Sequence, residues 1–131
     1  MTGSLSDAQV AQYREDGYLC PIDIYTPEQA ARHRAALEAQ EAEYGESGLP
    51  RPVGQYHFVN AHLVSEASRT AAFDPRILDA VESLLGPDLM LWSCEYFIKE
   101  ARTDKVVSWH QDLTYWGMGE TDHEVTAGLA M

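Results

Sequence analysis

The alternation of apolar and polar positions predicts three helices interleaved with five strands. Ser6 with Gln9 three residues on is a capping-box pattern, and Leu5, Val10 and Tyr13 make a weak apolar stripe. A helix is therefore expected from Ser6 to Glu15, stopped at Gly17. Tyr18 to Tyr25 reads as a strand that Pro21 pushes towards a sheet edge. Thr26-Pro27-Glu28-Gln29 starts a second helix, with an N-cap threonine, proline at the first helical position and glutamine closing the box. That helix runs to Tyr44, and its shallow alanine face suits packing on the outside of a sheet. Gly45 to Gly54, with three glycines and two prolines, reads as a loop.

Gln55 to Val64 reads as a short strand with Asn60 and His62 on one face, either lining a pocket or facing solvent. Asp74-Pro75 opens a third helix with Ile77, Leu78, Val81, Leu84 and Leu85 at helical spacing and a Gly86-Pro87 stop. Leu89 to Lys99 is apolar enough for a strand buried on both faces. Polar residues 100–105 turn the chain into a strand through Val106, Val107, Trp109 and Tyr115. After a turn over Gly117 to Asp122, Glu124 to Met131 begins one more strand. Five strands, against about eight in a jelly roll, look like the first half of such a fold. The unpaired edge this would leave promotes self-association.

Length and charge narrow the picture. The 131 residues, 45% of them hydrophobic, suit one domain, 1–131, with a core. No apolar run is long enough for a membrane span and no secretion signal opens the chain, so the default compartment is cytoplasmic. Cys20 and Cys94 lack metal-type spacing and read as reduced core thiols. A net charge of −12 disfavours nucleic acid and anionic membrane surfaces as partners and says little about a substrate.

The candidate chemistry lies in Ser108-Trp109-His110-Gln111-Asp112-Leu113-Thr114-Tyr115-Trp116-Gly117. On a strand His110 and Asp112 would share a face with Cα atoms roughly 6.6 Å apart. They would then offer two of the three donors of the facial triad of non-haem iron(II) oxygenases. His-x-Asp arises by chance in about a quarter of chains with five histidines. A structural His–Asp hydrogen bond therefore stands beside metal ligation as a reading of the pair.

The motifs Tyr13-Arg14-Glu15-Asp16-Gly17-Tyr18, Leu84-Leu85-Gly86-Pro87-Asp88, Phe97-Ile98-Lys99 and Trp109-His110-Gln111-Asp112 with Tyr115-Trp116 resemble the phytanoyl-CoA dioxygenase family. The resemblance implies an α+β, mainly β fold: a double-stranded β-helix (jelly roll, cupin-like) with flanking N-terminal helices, here incomplete. It also implies Fe(II), 2-oxoglutarate as cosubstrate and molecular oxygen, used to hydroxylate a small organic, lipid-derived or secondary-metabolite substrate. His110 and Asp112 look like the first two iron ligands, while Lys99 and Gln111 are implied as cosubstrate contacts. Lys99 reads equally as an ordinary lysine at a strand end. Tyr96, Trp109 and Trp116 read as pocket walls or, more simply, core.

The family's distal histidine and its 2-oxoglutarate arginine are expected past Met131, and His57, His62 and His123 match no ligand position. Gly128 stands where the family often has tryptophan, which would remove a wall and weaken the strand. Asp112 favours hydroxylation over halogenation, because the halogenating relatives lack the carboxylate. The chain alone is expected to be inactive. The alternatives are a non-catalytic jelly-roll fragment or pseudo-enzyme that binds a ligand or partner, and a cupin-like protein holding another ion.

Overall fold

A computed structural model of the chain describes residues 4–45, 59–99, 101–104 and 106–131. Most of the expected loop after Gly45, the first residues of the strand expected from Gln55, and His57 lie outside the described residues.

The helices form where local signals are strongest. Helix α1 spans Asp7–Asp16, and Ser6 caps it reciprocally: the Gln9 amide donates to Ser6 Oγ at 3.3 Å and the Ser6 amide to Gln9 Oε1 at 2.9 Å. Helix α2, Pro27–Tyr44, repeats the device with Thr26 and Gln29. These reciprocal bonds satisfy amide donors that a helix start otherwise leaves open. Both helices are polar around most of their circumference, with no buried residue on α1 and only Leu37 on α2. A single 3₁₀ turn, Ala61–Leu63, leads into α3, Glu66–Ala72. Helix α4, Pro75–Leu85, ends at Gly86, whose φ of 87° and ψ of −178° are open essentially to glycine alone. A last short turn, α5, spans Leu113–Trp116.

The start of α4 is tied to the start of α2 through one carboxylate. Asp74 Oδ1 accepts the Arg76 backbone amide at 2.9 Å and Arg76 Nε at 3.0 Å. Its Oδ2 accepts Arg76 Nη2 at 2.7 Å and the Tyr25 hydroxyl at 2.8 Å. Arg76 Nη1 continues to the Ile24 carbonyl at 3.0 Å, and the guanidinium lies 4.5 Å from the centre of the Tyr25 ring. The Arg76 guanidinium holds the Asp74 carboxyl well below the usual carboxylate range, and burial followed by the Asp74 bond pushes the Tyr25 phenol up to about 12. At the other end of α4, Ser83 Oγ accepts the Leu5 amide at 3.0 Å.

The expected mainly-β fold is corrected here. No strand and no sheet occurs among the described residues, and the ordered elements are helical. The stretches read as strands, 18–25, 89–99, 106–115 and 124–131, contain no strand among the described residues. Pattern shows only which side chains could share a face, whereas a strand exists only when a second segment supplies its hydrogen bonds. The strand expected to end at Val64 closes instead into the 3₁₀ turn, and Leu113–Trp116 leaves the expected His110 strand as a helical turn stopped by Gly117 at φ 67°.

The expected core is small as well: Leu37, Ala61 and Ala80 are the buried apolar side chains among the described residues. Trp109, read as wall or core, is 96% exposed, and Cys20 is an exposed thiol, not a core one. Among the described residues no helix is long and apolar enough to cross a membrane.

Replacing Asp74 should be costly, because it removes a helix cap and strands Arg76 and Tyr25 together. Asp74→Ala is expected to lose about 2–3 kcal/mol in urea unfolding at pH 7, and Asp74→Asn, which keeps a cap, about half as much. Asp74 has a depressed folded pKa, so its contribution is complete above the unfolded carboxylate value and is lost as pH falls through the folded one. The Asp74→Asn deficit should therefore be equal at pH 5 and pH 7 and shrink below about pH 4. A pH-independent deficit would show that the carboxylate charge is not what holds the two helices.

Candidate functional site

His110 and Asp112 meet, though by a route different from strand alternation. Asp112 has helical backbone angles, φ −58° and ψ −41°, and directly precedes α5. This bend brings Asp112 Oδ1 to 3.1 Å from His110 Nε2. His110 Nδ1 lies 2.7 Å from the Ser108 carbonyl, which can only accept, so Nδ1 carries the donated hydrogen. On the neutral ring the Nε2 lone pair then faces a carboxylate oxygen. Two acceptors in that position call for one positive charge between or beside them, either a proton on Nε2 or a cation.

Both possibilities fit the dimensions. Two donors about 2.1 Å from one ion and at right angles are separated by about 3.0 Å, close to the observed spacing. The bond to the Ser108 carbonyl, followed by the contact with Asp112, raises the His110 pKa above 6.5. The side chains are 34% and 28% exposed, leaving the pair open to solvent and ligand. The Tyr115 ring stands edge-on to His110 at 6.0 Å, and Trp116 lies 6.4 Å from Trp92.

One further group joins the pair from a distance in sequence, and a second feels its charge. Thr126 Oγ1 donates to Asp112 Oδ2 at 2.6 Å, across 14 residues. The Glu95 carboxyl is pushed up by burial and then by the negative charge of Asp112. Glu95 sits between two anchored neighbours: the Ala61 amide donates to the Cys94 carbonyl at 2.7 Å, and Tyr96 shares a 3.0 Å hydrogen bond with the buried Ser68 hydroxyl. The 3₁₀ turn and α3 thus set the path of residues 94–96.

Nothing in spacing or composition marks Thr126, because it reaches Asp112 through the fold. Lys99 and Gln111 are exposed, and among the described residues no hydrogen bond joins either to His110 or Asp112. His62 lies in the 3₁₀ turn with its ring edge-on to Phe73 at 6.5 Å. Around Gly128 an added Cβ would meet open space. Among the described residues no group of three His, Cys, Asp or Glu side chains is placed to hold a metal ion.

Residues 13–131 match the family of phytanoyl-CoA dioxygenase (PhyH), so the match covers most of the chain. The chain belongs to the phytanoyl-CoA dioxygenase family. It is also similar to ectoine dioxygenase of Stutzerimonas stutzeri (strain A1501), 26% identical over 113 residues, which are 82% of this chain and 37% of that protein. The chain therefore spans little more than a third of the length of that curated relative. No solved structure matches it.

The His110 arrangement has a direct spectroscopic signature. A histidine titration followed by ¹⁵N NMR should place His110 above the 6.5 of a free imidazole, with Nδ1 protonated on the basic side. Asp112→Asn should lower the midpoint. Because the folded pKa is raised, the stabilisation from the pair is complete below 6.5 and disappears as pH rises through the folded value. A His110 midpoint at or below 6.5 would contradict the arrangement.

Proposed function

We propose that the protein is a non-haem iron(II) and 2-oxoglutarate dependent dioxygenase that hydroxylates a small organic substrate. The observation that carries this reading is the 3.1 Å approach of His110 Nε2 to Asp112 Oδ1, within a chain that belongs to a dioxygenase family. His110, oriented by the Ser108 carbonyl, and Asp112, through Oδ1, would hold the ion. When bound, iron supplies oxidation with molecular oxygen and 2-oxoglutarate, while the protein orients the reactants and shields the site.

The chain's own groups have three tasks in this reading. Nδ1–H keeps the Nε2 lone pair aimed at the ion, Asp112 supplies one unit of negative charge, and Tyr115 stands at the edge of the imidazole. Lys99 would attract a carboxylate of the cosubstrate, and Gln111 would offer its amide, once the exposed segments that carry them close on it. A third donor from outside the described residues completes the ligand set.

The test is iron-dependent conversion of 2-oxoglutarate to succinate by the protein. His110→Ala and Asp112→Ala should each reduce turnover by at least about 100-fold, more than loss of an outer-shell partner costs. Equal turnover in the variants would overturn the role of the pair.

A second reading is favoured by a different observation. Met90, Val106 and Trp109 are 82%, 80% and 96% exposed, an unusual apolar load for free surface. In this reading the chain is a non-catalytic module that associates with a second copy through segments 90–98 and 106–109. Sedimentation combined with iron titration separates the two, since self-association without iron affinity supports the module and iron affinity in a monomer supports the enzyme.

A further inference from the structure

We propose that Thr126 is a positioning residue for the metal site, holding Asp112 so that one carboxylate oxygen serves the ion; this rests on the dioxygenase reading above. A carboxylate can grip a cation with one oxygen or with both, and the two modes leave different numbers of coordination positions for other ligands. Here the two oxygens are distinguished. Oδ2 accepts the Thr126 hydroxyl at 2.6 Å, within the range of a charge-assisted O–H···O⁻ bond, while Oδ1 faces His110 Nε2 at 3.1 Å. With Oδ2 bonded to the Thr126 hydroxyl, Oδ1 would be the oxygen offered to an ion beside His110.

The placement of Thr126 argues for this role over a purely structural one. Thr126 itself is exposed, in the 123–131 stretch that forms no helix or strand, where Glu124, Val125 and Leu129 are half-buried. A hydrogen bond from an exposed hydroxyl to the half-buried Asp112 carboxylate adds only modestly to stability. Its geometric effect is larger, because the carboxylate otherwise has a broad terminal torsion and could rotate both oxygens towards the ion. The branched Cβ of threonine restricts χ1, so the hydroxyl is presented in few orientations. Outer-shell hydrogen bonds of this kind fix ligand orientation around metals in general, and their loss typically costs 10–100-fold in affinity or activity.

The experiment is anaerobic titration of the full chain with Co(II) alone, with infrared difference spectra reporting the carboxylate stretches. Thr126→Val removes the hydroxyl at nearly constant shape and Thr126→Ser retains it. The unaltered protein should bind Co(II) with the wide carboxylate splitting of one-oxygen ligation. Thr126→Val should bind roughly 10–100-fold more weakly, with the splitting narrowed, and Thr126→Ser should return to within about threefold of the original. Circular dichroism of the metal-free forms should be unchanged. If Thr126→Val fails to fold, Thr126→Ala takes its place, with Thr126→Ser still deciding the role of the hydroxyl.

Unaltered affinity and splitting in Thr126→Val would overturn the proposal while leaving the iron reading intact. Equal losses in Thr126→Val and Thr126→Ser would overturn it by showing that side-chain shape and not the hydroxyl matters. No Co(II) binding by the unaltered protein, or binding that His110→Ala leaves unchanged, would overturn the iron reading and this proposal with it.

Discussion

The packing of the helices in this chain depends on the saturation of one carboxylate. Asp74 takes four hydrogen bonds, two on each oxygen, from the Arg76 amide, two guanidinium nitrogens and the Tyr25 hydroxyl. A carboxylate has about four such sites, so nothing is left unsatisfied in a side chain that is 12% exposed. The same group caps α4 and fastens the entrance of α2, while Arg76 reaches the Ile24 carbonyl. With Leu37, Ala61 and Ala80 as the buried apolar side chains among the described residues, polar clamps carry much of the definition that a larger core would otherwise provide.

A second set of polar contacts leads from the helices towards the site. The 3₁₀ turn takes hold of the Cys94 carbonyl and the buried Ser68 hydroxyl meets Tyr96, which places Glu95 within electrostatic reach of Asp112. The site itself is held by short-range bonds: Ser108 to His110, His110 to Asp112, and Thr126 to Asp112. None of them needs a sheet. That is why the His–Asp pair forms in segments without ladder bonds, while Trp109 beside it stays in solvent.

What was legible in the sequence follows the range of the forces involved. Ser6 with Gln9, Thr26 with Gln29, and Asp74 before Pro75 announced three helix starts, because capping joins residues two or three apart. The closeness of His110 and Asp112 was also readable from two-residue spacing, although a helical bend at Asp112 produces it. The short helix α3 went unread, since its seven residues, EASRTAA, carry no amphipathic stripe.

Helix limits, caps and the closeness of His110 to Asp112 were thus determined by the sequence itself, because the interactions that make them close within a few residues. Only the tertiary structure decided that the expected strands stay unpaired among the described residues, since a ladder needs a partner segment that no local pattern specifies. It also decided that Tyr25 reaches Asp74 across 49 residues and Thr126 reaches Asp112 across 14. Contacts over such distances depend on where the chain returns in space, and hydrophobic periodicity carries no record of that.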